Sequence, residues 1–242
     1  MMRRLLPLLV AWVALAGCTQ QQQAPKLNAD ARLRLADAAA AAGNDELAGS
    51  LYAAAAANAP NDTAVQLRAA AALAKAGHVA QARQVLAARL RANPHDAEAI
   101  RARAALDLGE GRTAEAEAAL DTALAQHPDD PATLTDKAVA LDMKADHAGA
   151  QALYRRALAL APDDAAIRND LALSLMLAGK VREGIDVLAP LEDTAGLPPR
   201  ARATLALLFS LNGEAERAQN VLGHPLPENY VAEVEKALRP GS

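Results

Sequence analysis

Cysteine is almost absent: Cys18 is the one thiol in 242 residues, so no disulfide can cross-link the chain. Aromatic residues are nearly as scarce, with one phenylalanine, one tryptophan and three tyrosines making up 2% of the chain. The tryptophan, Trp12, lies in an N-terminal segment read below as cleaved. Phe209, Tyr52, Tyr154 and Tyr230 remain, too few to build the stacking platforms that single-stranded nucleic acid requires. Cations are outnumbered, with 25 Lys and Arg against 29 Asp and Glu and a net charge of −4. Removing residues 1–17 takes two arginines away and leaves −6. Phosphate contacts demand clustered cations, so nucleic acid is not an expected partner. The apolar run Leu5–Ala16 falls short of the roughly 20 residues that span a bilayer. Stability has to come from packing, and the chain is long enough to bury a core.

What the start of the chain does contain is a signal. Arg3 and Arg4 precede the apolar run, and small residues precede Cys18. Leu15-Ala16-Gly17-Cys18 resembles the lipobox of bacterial lipoproteins, in which the cysteine thiol takes a diacylglyceryl group and becomes the new N-terminus. Residues 1–17 are then the removed signal peptide. The alternative, a secreted protein with a chance cysteine, leaves an unpaired thiol in an oxidising compartment. Several acyl chains, each contributing about 0.8 kcal/mol per buried methylene, would hold the chain on a membrane. Thr19 stands where the usual inner-membrane retention signal has aspartate, which points to the outer membrane. Residues 18–28 form the lipidated N-terminus and a polar spacer, TQQQQAPKLN.

From residue 29 the chain is periodic. Glycines at 43, 77, 111, 179 and 213 are spaced by 34 or twice 34, with Ala145 at the missing step, and prolines at 60, 94, 128 and 162 keep the same spacing. Units at 29–62, 63–96, 97–130, 131–164, 165–198 and 199–232 align throughout. Their eighth residue is always alanine, from Ala36 to Ala206. Their twentieth is alanine or, once, Gly184, and their twenty-fourth is Tyr52, Leu86, Leu120, Tyr154, Leu188 or Leu222. Small residues let two helices of one unit approach, and the large one fills the gap to the next. Glycine at the fifteenth position ends a first helix in a left-handed conformation, and proline at the thirty-second stops the second. Asp62, Asp96, Asp130 and Asp164 are placed to cap the next first helix, and Pro131 and Pro199 fall in first turns.

This pattern resembles the tetratricopeptide repeat family over residues 29–239. The resemblance implies an all-α, right-handed solenoid of about six helix-turn-helix repeats closed by a C-terminal capping helix near 228–238. Pro190 should stop the second helix of the fifth repeat near Ala189 and leave a longer connector through Pro198-Pro199.

Nothing in the sequence assembles a catalytic site, so no enzyme is expected. The histidines, at 78, 95, 127, 147 and 224, have no metal-ligand spacing and read as solvated turn residues. No metal or cofactor is implied beyond a covalent lipid on Cys18. In this family the first helices line a concave groove, at the second, fifth, sixth, ninth, twelfth and thirteenth positions. By that rule Arg101, Val139, Asn169, Leu173, Met176, Arg200 and Leu207 are the candidate groove residues. A groove of apolar chains with arginine and asparagine suits a peptide or helix ligand. The same residues can equally bury against neighbouring repeats. Aspartate at both Leu173 and Met176 is expected to abolish partner capture without unfolding the domain.

Residues 168–192 and 199–222, with the shortened fifth repeat, resemble the TadD family of tetratricopeptide lipoproteins from the tight-adherence (Flp) pilus system. That resemblance implies an outer-membrane lipoprotein facing the periplasm and acting as a pilotin-like factor. Its partner would be the outer-membrane secretin or another pilus-assembly component. The alternative is a general periplasmic adaptor that docks cell-wall hydrolases or outer-membrane assembly factors.

Overall fold

The structure, a computed structural model, describes residues 27–192, 197–224, 232 and 236. Cys18, the signal and most of the spacer lie outside the described residues, as do residues 193–196 of the fifth connector. Of the terminal helix expected near 228–238, Ala232 and Lys236 alone are described, both helical and exposed.

Among the described residues there are twelve α-helices, one 3-10 turn and no strand. They form six antiparallel pairs: α1 (Ala29–Ala41) with α2 (Asp45–Asn58), α3 (Thr63–Lys75) with α4 (Val79–Ala92), and α5 (Ala97–Gly109) with α6 (Thr113–Gln126). Then come α7 (Pro131–Met143) with α8 (His147–Leu160), α9 (Ala165–Leu177) with α10 (Val181–Leu188), and α11 (Pro199–Leu211) with α12 (Ala215–Leu222). The chain is thus an all-helical tetratricopeptide-type solenoid.

Local chemistry sets each boundary. Asn28, Asp62, Asp96, Asp130 and Asp164 accept hydrogen bonds from first-turn amides of α1, α3, α5, α7 and α9, at 2.8 to 3.2 Å. The sixth pair lacks such a cap and starts on Pro199 instead, whose missing amide proton leaves nothing unsatisfied. Gly43, Gly77, Gly111, Gly179 and Gly213 take φ of +74 to +83° between the helices of a pair. In the fourth pair Ala145 occupies that turn at φ +60°, a conformation its Cβ resists. Ala145→Gly should therefore stabilise the domain by about 1 kcal/mol, read as a higher urea midpoint with unchanged slope.

The core is a seam of small residues studded with large ones. Ala36, Ala70, Ala104, Ala138, Ala172 and Ala206 are all at most 2% exposed. Gly184 shows how tight the seam is: a Cβ there would sit 3.1 Å from the Ala172 carbonyl oxygen and 3.1 Å from Leu208 Cδ2. Tyr52, Leu86, Leu120, Tyr154 and Leu188 plug successive gaps. α10 stops at Leu188 and passes into a 3-10 turn, Ala189–Leu191, at Pro190. Arg217 ties this shortened pair to the last one, meeting Glu192 at 2.7 Å and lying 3.9 Å over the Phe209 ring.

Each first helix packs directly on the next first helix along the stack, whereas among the described residues α2 and α4 are the one pair of successive second helices with comparable packing. The first helices therefore lie on the inside of the curve.

Candidate functional site

A residue at one register position of successive first helices forms a row across this inner face. The ninth-position row runs Asp37, Ala71, Ala105, Val139, Leu173, Leu207, and the thirteenth runs Ala41, Lys75, Gly109, Met143, Leu177, Leu211. Both rows change character at the fourth repeat, from small or charged to large and apolar. Met143 is 52% exposed and Leu177 46%, while Val139, Leu173 and Leu211 are half-buried. These five make an apolar strip over α7, α9 and α11.

The seven residues expected to line the groove fall into three groups. Val139 and Leu173 belong to the strip. Met176, Leu207 and Asn169 are buried, at 6%, 7% and 5% exposed, with Met176 and Leu207 packed in the cluster that joins α9, α10 and α11. Aspartate at Met176 would put a carboxylate into that core, so it would unfold the end of the solenoid rather than test the groove. Met143 and Leu177 are the exposed apolar positions instead, and the thirteenth position already carried that signal in Met143, Leu177 and Leu211. Arg101 is half-buried and engaged, its Nε donating to Asp136 Oδ2 at 2.6 Å. Arg200 is exposed.

Around the strip the face is ionic. Arg101 separates two open clefts along the starts of the first helices. One, about 490 Å³, is lined by Glu98, Gln126, His127, Asp129 and Asp130. The other, about 350 Å³, is lined by Asp130, Thr135, Asp136, Asp164 and Ile167. Burial alone would raise the Asp130 carboxyl, but hydrogen bonds from the Thr133 hydroxyl and amide hold it below the usual range. Burial pushes Asp136 up despite Arg101, and pushes Asp170 up despite Asn169 and Arg200. Asn169 Nδ2 donates to Asp170 Oδ1 at 3.3 Å, and its buried Oδ1 has no partner. The Tyr154 hydroxyl is raised by burial and by the negative charges of Asp142 and Asp170.

A carboxyl that holds its proton more tightly when folded favours the folded state on acidification, and the advantage fades as pH rises through the window above the ordinary aspartate value. Asp170→Asn should therefore raise the melting temperature by roughly 2 °C near pH 7.5 and lose that gain towards pH 4, as thermal melts across that range would show.

One cluster resembles hydrolase chemistry and is not. His147 Nδ1 donates to Asp142 Oδ1 at 2.8 Å, and Ser174 Oγ donates to the same oxygen at 2.7 Å. Serine and histidine share the carboxylate rather than each other, and Ser174 is fully buried. A serine nucleophile needs the histidine as its base, so this is a polar brace between α7 and α9. Two other histidines make exposed hydrogen bonds: His78 Nε2 donates to the Asp45 carbonyl at 3.0 Å, and Gln126 Nε2 donates to Nδ1 of His95, a solvent-exposed turn residue as expected, at 2.6 Å. Among the described residues no group of His, Cys, Asp or Glu is placed to hold a metal ion.

Such a stack, with a chemically divided inner face, is a protein-interaction scaffold. Its sequence matches the tetratricopeptide repeat family over residues 19–63, 67–131, 101–165 and 135–189, and the chain belongs to that family. Similar solved structures include a tetratricopeptide repeat protein from Parabacteroides merdae, with TM-score 0.68 and 16% identity over 90% of this chain and 87% of that one. PilW, a widely conserved type IV pilus biogenesis factor, has TM-score 0.63 and 19% identity over 87% and 98% of the two chains. PilF of Pseudomonas aeruginosa has TM-score 0.56 and 17% identity over 88% and 93%. At these identities the likeness is one of fold. No curated protein sequence matches the chain.

Proposed function

We propose that this protein is a non-catalytic scaffold of the TadD type, a lipoprotein held on the periplasmic face of the outer membrane through Cys18. It would grip a segment of a tight-adherence pilus-assembly partner, most directly the secretin, as a pilotin-like factor. The apolar strip of Val139, Met143, Leu173, Leu177 and Leu211 carries this reading, because exposed apolar side chains aligned across three helices offer a helix or extended segment its anchors. The fold it has in common with PilW, a pilus biogenesis factor, supports it. The lipobox at Leu15–Cys18 and the polar spacer supply the anchor such a role needs.

The test compares wild-type, deletion and Cys18→Ser cells for the heat-sensitive, detergent-resistant secretin multimer in fractionated membranes. Loss of the multimer in the deletion, with mislocalised secretin in Cys18→Ser, is the expected result. Normal secretin in all three strains would overturn the pilotin role and leave the general periplasmic adaptor.

A further inference from the structure

Leu27, Leu35 and Leu47 are 42%, 46% and 47% exposed, all at the N-terminal end of the stack. The repeat register says what two of these positions do elsewhere. Leu35 is a seventh-position residue, and its equivalents Leu171 and Leu205 are 2% and 0% exposed, packed among side chains of the preceding repeat. Leu47 is a nineteenth-position residue, and its equivalents reach backwards: Arg217 to Glu192 at 2.7 Å and Glu183 to Arg155 at 3.7 Å. Gln81, Glu115, Glu183 and Arg217 are polar at that position, so a leucine there is particular to the first repeat. Leu27 lies two residues before α1 and is tied to its first turn, its carbonyl accepting from Arg32 Nε at 3.1 Å. The first repeat thus carries a face suited to a further repeat, with leucine at a position that is Gln, Glu, Gly, Glu and Arg in its siblings.

We infer that this end of the solenoid rests on the lipid surface, its leucines entering the headgroup region beside the acylated N-terminus. This rests on the lipid-anchor reading above. Leu27 is nine residues after Cys18, a distance the chain can span in no more than about 30 Å. A lipid on Cys18 therefore keeps this end, and not the far one, within reach of the bilayer. The patch is a few hundred Å² at most, well below the roughly 800 Å² per partner that a stable protein interface buries, which argues against a second copy. Weak insertion of three leucines suffices when tethering makes it intramolecular. Arg34 is exposed on the same helix, and Asp45 and Glu46 are exposed beside Leu47, so the surface favoured is mostly zwitterionic. Seated in this way, the stack would rise from the membrane and present the strip of repeats four to six away from it.

The mature chain has no tryptophan, so one can be introduced as a unique reporter. Full-length lipoproteins carrying Leu47→Trp or, at the far end, Gln219→Trp are purified, checked by mass spectrometry for lipid at Cys18, and placed in phosphatidylethanolamine vesicles with a minority of phosphatidylglycerol. Brominated acyl chains should quench the Leu47→Trp variant about threefold more than the Gln219→Trp variant, as expected of a side chain entering the headgroup–acyl boundary. Equal, weak quenching in protein that carries the lipid would overturn the docking while leaving the anchor intact. Concentration-dependent self-association that shields Leu47→Trp from the bromolipid would also overturn it, in favour of a second copy. Absence of lipid on Cys18 would overturn both readings.

Discussion

Leu120→Ala should cost the domain about 3 kcal/mol, and the melt should drop by about 6 to 12 °C and split in two. Leu120 is fully buried at the middle of the stack, in a cluster whose other buried members are Ala104, Leu108, Ala116 and Ala140. Three of those four are alanines. With so little side-chain volume nearby, no neighbour can lean into the space vacated, so the cavity term applies in nearly full measure. Elsewhere the core is thicker: Leu188 packs among Ile185, Leu205, Leu208 and Phe209, which can shift. In a linear repeat protein, each unit is held by itself and by its two neighbours. Weakening the thinnest joint therefore separates the first two repeats from the last three thermally. Far-ultraviolet circular dichroism on heating measures this, with Leu188→Ala as the comparison. A single transition for Leu120→Ala, shifted no more than that of Leu188→Ala, would show the third repeat to be no weak link.

The helices were readable in the sequence for a specific reason. Capping aspartates, turn glycines and terminal prolines act on the backbone within a few residues, so their 34-residue recurrence is visible before any tertiary contact is known. The departure at Pro190 was readable on the same ground. The inner face was less so. Met176 and Leu177 are adjacent and similar, yet one is 6% exposed and the other 46%. Which of the two faces inward depends on how far α11 closes on α9, and that spacing is set by Gly184 and by the truncated α10, features of other helices. Asn169 is likewise buried although polar, its amide nitrogen reaching only the adjacent Asp170 among the described residues.

Contacts between repeats were the other blind spot, although they leave a trace. Arg83 meets Glu110 at 2.6 Å, Lys144 meets Glu117 at 2.7 Å and Arg156 meets Asp129 at 2.7 Å, each across 27 residues. A second helix and the neighbouring repeat are brought together at that separation, so opposite charges spaced by 27 are a signal of register in this chain. Singly each exposed pair contributes little. Their value is in rejecting a slipped stack, where like charges would meet. The buried Asp107 belongs to the same system, held by Arg83 at 2.5 Å and by Arg112 at 2.7 Å.

The largest functional effect should come from Met143→Asp with Leu177→Asp. Both side chains are about half exposed, so the carboxylates remain hydrated and folding is little affected. If the proposed pilotin role holds, capture of the tight-adherence secretin from solubilised membranes should fall by about a hundredfold in affinity, the loss of two anchors at the centre of an interface. The charge adds to the deletion of apolar area, because Asp136 and Asp170 already crowd this face with carboxylates that burial holds at raised pKa. Two more nearby would repel an acidic segment and leave an apolar one without its seat. Met143→Ala with Leu177→Ala separates the two contributions, and should lose about tenfold from area alone. Leu35→Asp at the opposite end is the control, expected to leave capture unchanged and to alter only the association with lipid. Full capture by the double aspartate variant, with a native melt, would move the partner's seat off the strip and onto the ionic clefts beside Arg101.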